Sequence, residues 1–356
     1  MSIYEKIAKN KHLKDIIKES EKTLELEDEF ISTGVAVLNI LYSGKIDGGI
    51  PKYKISMVAG KTAQGKSFQI LLLAKQALKQ EMEVIIIDTE NALNDLTLTN
   101  FGLIDYVKNK QLIIIPENDI IEIKKIIGNL KEELDFDEKK NTLLIIDSWG
   151  GLVNSKQVED AIIGKDVADL QTTRAKNSLA VLLNTLHPMT IFVSNHTYES
   201  LQMFGAAGGE ISGGSKIMYV SSAIVKTTSE SQVKDKDGLV TGKIVIAIAE
   251  KGRYVKPKTK LKYWIDFEKG INPFFNILDD ALEGGYVDKP SQGWYSRPCV
   301  ENDKKWREKE IWENSKEFFG PIFAKTDFKD YIEKKYSLGN ENINEDINIE
   351  AIDDII

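Results

Sequence analysis

The chain of 356 residues has one cysteine (Cys299), three histidines and eight prolines. A single thiol excludes a disulfide framework and any cysteine-rich zinc site. With 25 glycines and so few prolines, collagen-like and Pro/Gly-rich disordered chains are excluded too. No apolar run approaches the roughly 18 residues that a membrane-spanning helix needs. The opening MSIYEKIAKNKHLKDIIKES lacks the apolar stretch of a secretory signal, so the expectation is a cytoplasmic chain with no membrane partner. A basic excess is also missing. Against 47 Lys and Arg stand 55 Asp and Glu, a formal net charge of −8, which taken alone argues against a nucleic-acid partner.

What is present is a core-forming composition, 42% hydrophobic and 29% charged. Short apolar runs recur from residue 31 onward: ISMVA (55–59), VIIID (84–88), LIII (112–115), LLIID (143–147) and TIFVS (190–194). Helix-length segments such as Ser67–Gln80 and Val167–Leu186 separate them. Apolar strands without alternation, spaced by helices, predict a parallel sheet buried on both faces. Ala223–Thr227, Lys243–Ala249 and Lys262–Phe267 follow with only loops between them, which predicts an antiparallel extension. The fold class is therefore α/β. The expected units are an N-terminal helix and attachment segment (1–30), a core (31–270), a small aromatic-rich unit (271–340) and an acidic tail (341–356). That tail holds six acids and no base, and reads as a solvated end or a regulatory arm.

Gly60-Lys61-Thr62-Ala63-Gln64-Gly65-Lys66-Ser67 matches G-x-x-x-x-G-K-[ST] in full, and Phe68 opens the helix behind it. The loop follows a strand, so its glycines let backbone N–H groups face phosphates while the helix N-terminus adds its dipole. Lys66 places a cation on the β/γ-phosphates of ATP, and the Ser67 hydroxyl is a Mg²⁺ ligand. Asp147, ending LLIID, suits the second Mg²⁺ contact; a helix-capping Asp is the plainer alternative. Glu90 follows VIIID and can orient an attacking water, a role for which Asp88 competes. Nucleotide hydrolysis is supported. The loop does not choose among motors, recombinases, transporters and kinases.

Longer segments do choose. ISTGVAVLNILYSGKIDGGIPKYKISMVAGKTAQGKS, IIIDTENAL, LLIIDSWGGLV, SNHTYESLQMFGAAGGEISGGSKIMYVSSAIV and INPFFNILDDALEGGYVDKPSQGWYS, in that order, resemble the RecA family of homologous-recombination ATPases. The likeness is strongest to its T4-type phage branch, and it spans roughly two-thirds of the chain. It implies a RecA-like P-loop ATPase core with small N- and C-terminal appendages, and ATP and Mg²⁺ as cofactors. It implies single-stranded DNA, duplex DNA, further copies of the chain, a recombination mediator and a single-strand-binding protein as partners. The compartment is then the host cytoplasm, if the chain is phage-encoded.

The resemblance also assigns roles. Glu90 becomes the catalytic acid, and His196 stands where most of the family carries a γ-phosphate-sensing Gln. Lys251 and Arg253 match cations that reach the neighbouring subunit's γ-phosphate. They open KGRYVKPKTKLK (251–262), which holds six cations and no acid; its other lysines are candidates for a duplex-DNA site. The loop after His196 suits single-stranded DNA of any sequence: Tyr198, Met203 and Phe204 offer faces to bases, and Gly213 and Gly214 allow close backbone approach. A first DNA loop runs from about Trp149 to Lys165, with Arg174 and Lys176 beyond it for phosphates. His12 and His187 read as surface residues. Asn91–Thr97 lacks the Tyr that often packs on adenine in the family, and Leu24, Leu26 and Phe30 compete as the N-terminal anchor. Alternatives are a hexameric helicase on the same core, an ATP-gated assembly protein, and, least favoured, a small-molecule kinase.

Overall fold

The structure is a computed structural model that describes residues 21–155 (Leu24 aside), 162, 170–198, 210–211 and 214–339. A short antiparallel pair, β1 (Phe30–Ile31) and β2 (Ile50–Pro51), precedes a ten-stranded sheet. That sheet is built from β3 (Ile55–Gly60), β4 (Glu83–Asp88), β5 (Leu112–Ile115), β6 (Thr142–Asp147) and β7 (Thr190–Tyr198). It continues with β8 (Glu210–Ile211), β9 (Ala223–Lys234), β10 (Val240–Lys251), β11 (Lys260–Asp266) and β12 (Gly270–Ile271).

The strand order is β12-β11-β10-β9-β3-β7-β6-β4-β5, with β8 added on β7. From β9 to β5 every pairing is parallel, and from β9 to β12 every pairing is antiparallel. The mostly parallel sheet with an antiparallel extension is therefore present. The extension is longer than the local apolar runs suggest, because β9 and β10 are 12 residues each. The outer half of β9 carries exposed Ser231, Gln232 and Lys234, which pair along β10.

Uninterrupted apolar strands follow from two helical layers. One face of the sheet (Val58, Val84, Ile86, Leu143, Ile145) packs with helices Ala36–Ser43 and Lys66–Lys79. The other (Met57, Ala59, Ile85, Ile87, Leu144, Ile146) packs with Ile120–Glu133 and Leu170–Asn184. Successive side chains alternate between two buried faces, so both parities are mainly apolar.

After β12, helix Ile277–Glu283 ends at Gly284, as the Gly-Gly pair predicts. β13 (Asp288–Ser291), β14 (Trp294–Ser296) and β15 (Trp306–Arg307) form a small sheet, and helices Ser315–Lys325 and Phe328–Tyr336 close the unit. Phe318, Phe319, Phe328 and Ile332 join the same apolar cluster as the first core face. Among the described residues, no helix is long and apolar enough to cross a membrane.

Candidate active site

The P-loop begins where β3 ends. Gly60 is the last strand residue, and a Cβ there would lie 1.7 Å from the Thr227 hydroxyl, so only glycine fits. Gly65 takes φ +80°, the left-handed conformation that glycine adopts without strain. It starts helix Lys66–Lys79, which has no side-chain cap and no acid in its first turn. The leading N–H groups and the positive end of the helix dipole are thus left for an anion. The Lys66 amine folds back onto the Gly60 and Lys61 carbonyls at 2.9 and 2.8 Å. Burial lowers its pKa, opposed by the charges of Asp147 and Glu90.

The antiparallel extension clamps this loop. The Thr227 hydroxyl of β9 bonds to Gln64 Oε1, which also accepts from the Lys61 N–H at 3.0 Å. Tyr263 of β11 donates its hydroxyl to the Gln64 carbonyl at 2.8 Å, and Lys243 of β10 bonds to the Ala63 carbonyl. Gln64 therefore turns into the protein, and it serves the loop's shape rather than offering its side chain to a ligand. Phe68 packs edge-on against Phe101, with ring centroids 4.6 Å apart.

In front of the loop is a cleft of about 300 Å³. Thr62, Ala63, Gly65, Lys66, Ser67 and Phe68 form one wall. Glu90, Asp147, Ser148 and His196 face them, and Lys243 and Ile265 close a side. The expected residues from four separated segments thus converge. Asp147 ends β6, is 9% exposed, and takes hydrogen bonds from Ser194 and Ser67. Burial pushes its carboxyl up, and the nearby charges of Glu90 and Asp88 add to that.

A buried carboxylate joined to the hydroxyl that follows the P-loop lysine suits a small, hard cation that also takes phosphate oxygens and water. Among the described residues no cluster of three or more His, Cys, Asp or Glu could hold a metal by itself. A Mg²⁺ here would be held by Ser67 and Asp147, with the phosphates completing its shell. Asp88, unlike Glu90, does not line the cleft. It is buried, and its carboxylate accepts the backbone N–H groups of Glu90 (3.2 Å) and Leu93 (2.9 Å), shaping the loop instead.

Glu90 is 46% exposed, and its Oε1 receives the Ser148 hydroxyl at 2.7 Å and Nε2 of His196 at 3.0 Å. The Ser148 bond foremost, with His196 and Lys66, holds its carboxyl below the ordinary value against burial. Against an ionised Glu90, Nε2 is the donor in this contact. In the sheet, His196 of β7 is in register with Gly60 of β3. A Cβ on Gly150 would come within 2.6 Å of the His196 ring. Ser148, Ser194, Thr227, Tyr263, Lys243 and Ile265 were not singled out by sequence reasoning. Ser148 and Ser194 lie inside quoted motifs, but the other four carry no local signal.

The remaining expected residues lie elsewhere. Lys251 and Arg253, at the end of β10, do not line the cleft. The Lys251 amine caps helix Ser215–Val220 through the carbonyls of Met218 (3.0 Å) and Tyr219 (2.8 Å). Arg174 is exposed on helix Leu170–Asn184. Lys176 is not a surface cation: it is 6% exposed, with its amine directed at the Gly150 carbonyl, because it faces the sheet side of that helix. Trp149, at the head of the expected first loop, is fully buried in the core.

Two lysines of 251–262 are likewise engaged internally. Lys256 caps helix Phe328–Tyr336, and Lys258 pairs with Glu250 at 2.7 Å. Tyr198 ends β7 and pairs in register with Glu210, and Gly214 precedes helix Ser215–Val220 with φ +94°. Met203, Phe204, Gly213 and His12 lie outside the described residues.

Residues 276–332 match the family model described as Bacteriophage T4, Recombination and repair protein, C-terminal domain. The chain is 29% identical over 343 residues to the Recombination and repair protein of Enterobacteria phage T4, covering 93% of this chain and 84% of that one. The chain is thus similar to a phage recombination protein over nearly its whole length. Its likeness extends to Protein RecA of Bdellovibrio bacteriovorus, 25% identical over 280 residues, which is 78% of this chain and 70% of the relative. A solved structure of the RadB recombinase overlaps with a TM-score of 0.47 at 18% identity, covering 68% of this chain and 98% of that one. His196, which the resemblance makes the expected sensor, is bonded here to Glu90, the acid expected to orient water.

Proposed function

We propose that this RecA-like chain is a DNA-dependent ATPase of homologous recombination. It assembles on single-stranded DNA as a helical filament and pairs that strand with a homologous duplex. The observation that carries the reading is the hydrogen bond between Glu90 and His196 at the mouth of the P-loop cleft. Both polar contacts of Glu90 land on Oε1, which leaves Oε2 without a partner among the described residues. A carboxylate so fixed can hold a water in line with the γ-phosphate of ATP on Lys66. Ser67 and Asp147 would hold a Mg²⁺, which would supply charge to neutralise the phosphate oxygens.

His196 stands at the exit of β7, where the chain passes into 199–209, the segment carrying Met203 and Phe204. A γ-phosphate competes with Glu90 for the imidazole. Nucleotide occupancy thereby sets the geometry of the DNA loop, with Tyr198, Gly213, Gly214 and Arg174 as further contacts. Lys176 is left out of this set. Copies stack head to tail, a heterologous contact that yields an open helix. Lys251 and Arg253 of one copy then complete the phosphate site of the next. The core is residues 31–270, flanked by the segment 1–30, the unit 271–340 and the tail 341–356.

The test is electron microscopy of the chain with ATP, Mg²⁺ and single-stranded DNA, alongside joint-molecule assays with homologous duplex. Filaments and joint molecules are expected. Closed rings that unwind forked duplex, or no assembly at all, would overturn the reading.

A further inference from the structure

A second concavity, of about 190 Å³, opens at the end of β3 opposite the P-loop. Its polar lining is Tyr53, Lys54, Asn184, His187, Ser222 and Arg253, and among the described residues no carboxylate lines it. The side chains of Lys54 and Arg253 have no hydrogen-bond or ion-pair partner among the described residues. Glu29, the acid that approaches from the N-terminal side, is taken up by Lys52 (2.7 Å) and by the Tyr53 hydroxyl (2.9 Å). In a chain of net charge −8, a hollow walled by two unneutralised cations and a histidine is built for an anion.

The anion does not come from the same chain's P-loop. Six residues of β3 separate the two ends, a span of about 20 Å at a strand's rise per residue. The neighbouring chemistry points to a second copy. Arg253 lines this hollow and Lys251 precedes it by two residues. In the head-to-tail assembly proposed above, the P-loop cleft of one copy would meet this end of the next. Resting on the reading above, we infer that Lys54 and His187 join Arg253 in a pocket that receives the triphosphate of the nucleotide held by the adjacent copy. Lys54, on the approach to β3, then ties that phosphate to the strand that carries the pocket owner's own P-loop. Each bound nucleotide thereby touches the base of the next nucleotide-bearing strand.

The test uses DNA-stimulated turnover of the full chain. Lys54→Met, with an unchanged melting temperature, is expected to lose about tenfold in turnover, the scale of one phosphate-stabilising cation, and Lys54→Arg to restore it. Mixing then assigns the side. Lys54→Met chains keep an intact P-loop, and Lys66→Ala chains keep an intact Lys54. An equal mixture should exceed the sum of its parts, because about a quarter of head-to-tail contacts pair a working P-loop with a working pocket.

A mixture no better than its parts, or Lys54→Met with full turnover, overturns the inference. So does a loss of nucleotide-free single-stranded DNA affinity in Lys54→Met, which would make the pocket a DNA site. The reading beneath it fails separately: if Lys251→Ala/Arg253→Ala keeps full turnover, no phosphate is completed in trans at all. If Arg253→Ala is inactive while Lys54→Met is not, only the pocket assignment is lost.

Discussion

Glu90 and His196, 106 positions apart in the chain, meet at 3.0 Å between Oε1 and Nε2. One residue follows β4 and the other lies near the end of β7, with β6 between those strands. The contact joins the group expected to orient water to the residue that leads into the expected DNA loop. In a parallel sheet, loops at the carboxyl ends of non-adjacent strands converge on one crevice.

Glu90→Gln should keep nucleotide binding and lose DNA-stimulated turnover by about 10²-fold or more, the usual worth of a positioned acid–base group. Phosphate release and nucleotide titration on the same preparation separate the two. Unchanged turnover would reassign the acid.

His196→Ala is expected to uncouple the sites. Turnover without DNA should stay within about threefold, while most of the stimulation by single-stranded DNA disappears, since the substitution removes a coupling contact and not the water-orienting group. Stimulation equal to the parent chain would place the coupling elsewhere.

Gly60→Ala should weaken ATP binding, because its Cβ would fall 1.7 Å from the Thr227 hydroxyl, which is itself bonded to Gln64. The loop has to shift away from β9 to admit it, displacing N–H groups from the phosphates. Isothermal titration with ATP checks this, and an unchanged affinity would mean the clamp does not hold the loop's shape.

Asp303→Asn tests the C-terminal unit. Arg297 and Asp303 are both almost fully buried and paired at 2.5 and 2.9 Å, with the guanidinium 4.9 Å from the Trp306 ring centre. Removing the charge leaves a buried guanidinium uncompensated, a loss of about 3–5 kcal/mol by analogy with broken buried pairs. Burial alone works against the ionised carboxyl, yet the Arg297 bonds hold Asp303 below its ordinary 3.8. A depressed carboxyl contributes stability that is fully present above the unfolded value and lost as pH falls through the folded one. The gap between parent and variant should therefore be constant above 3.8 and narrow below it, as read by denaturant melts. A gap that widens on acidification would contradict the pairing.

Removing 341–356 deletes six acids and no base. Single-stranded DNA affinity at low salt should rise, and the difference should shrink as salt increases, because the repulsion is screened. Equal affinities would make the tail a solvated end only.

Much of this site was legible because it rests on local pattern. The P-loop is eight consecutive residues, and Asp147 and Glu90 each follow an apolar run that can only be a doubly buried strand. Motif order carried the family likeness and His196. Net charge misled, since it averages the acidic tail with cation-rich corners such as that around Arg253.

Side-chain direction and long-range register were decided by the tertiary structure. Lys176 and Arg174 are two positions apart on one helix, yet one is buried and the other exposed, because a helix turns about 200° between them. Asp88 and Glu90 are equally acidic in sequence; backbone N–H groups claim the first and leave the second to the cleft. The Thr227, Tyr263 and Lys243 clamp, and the Lys54–Arg253 hollow, join segments whose meeting depends on how β9, β10 and β11 pair beside β3. By itself the sequence determined which chemical groups exist and which strands are buried. Only the folded sheet decided which of those groups face one another, because strand order and register bring together residues that no local spacing relates.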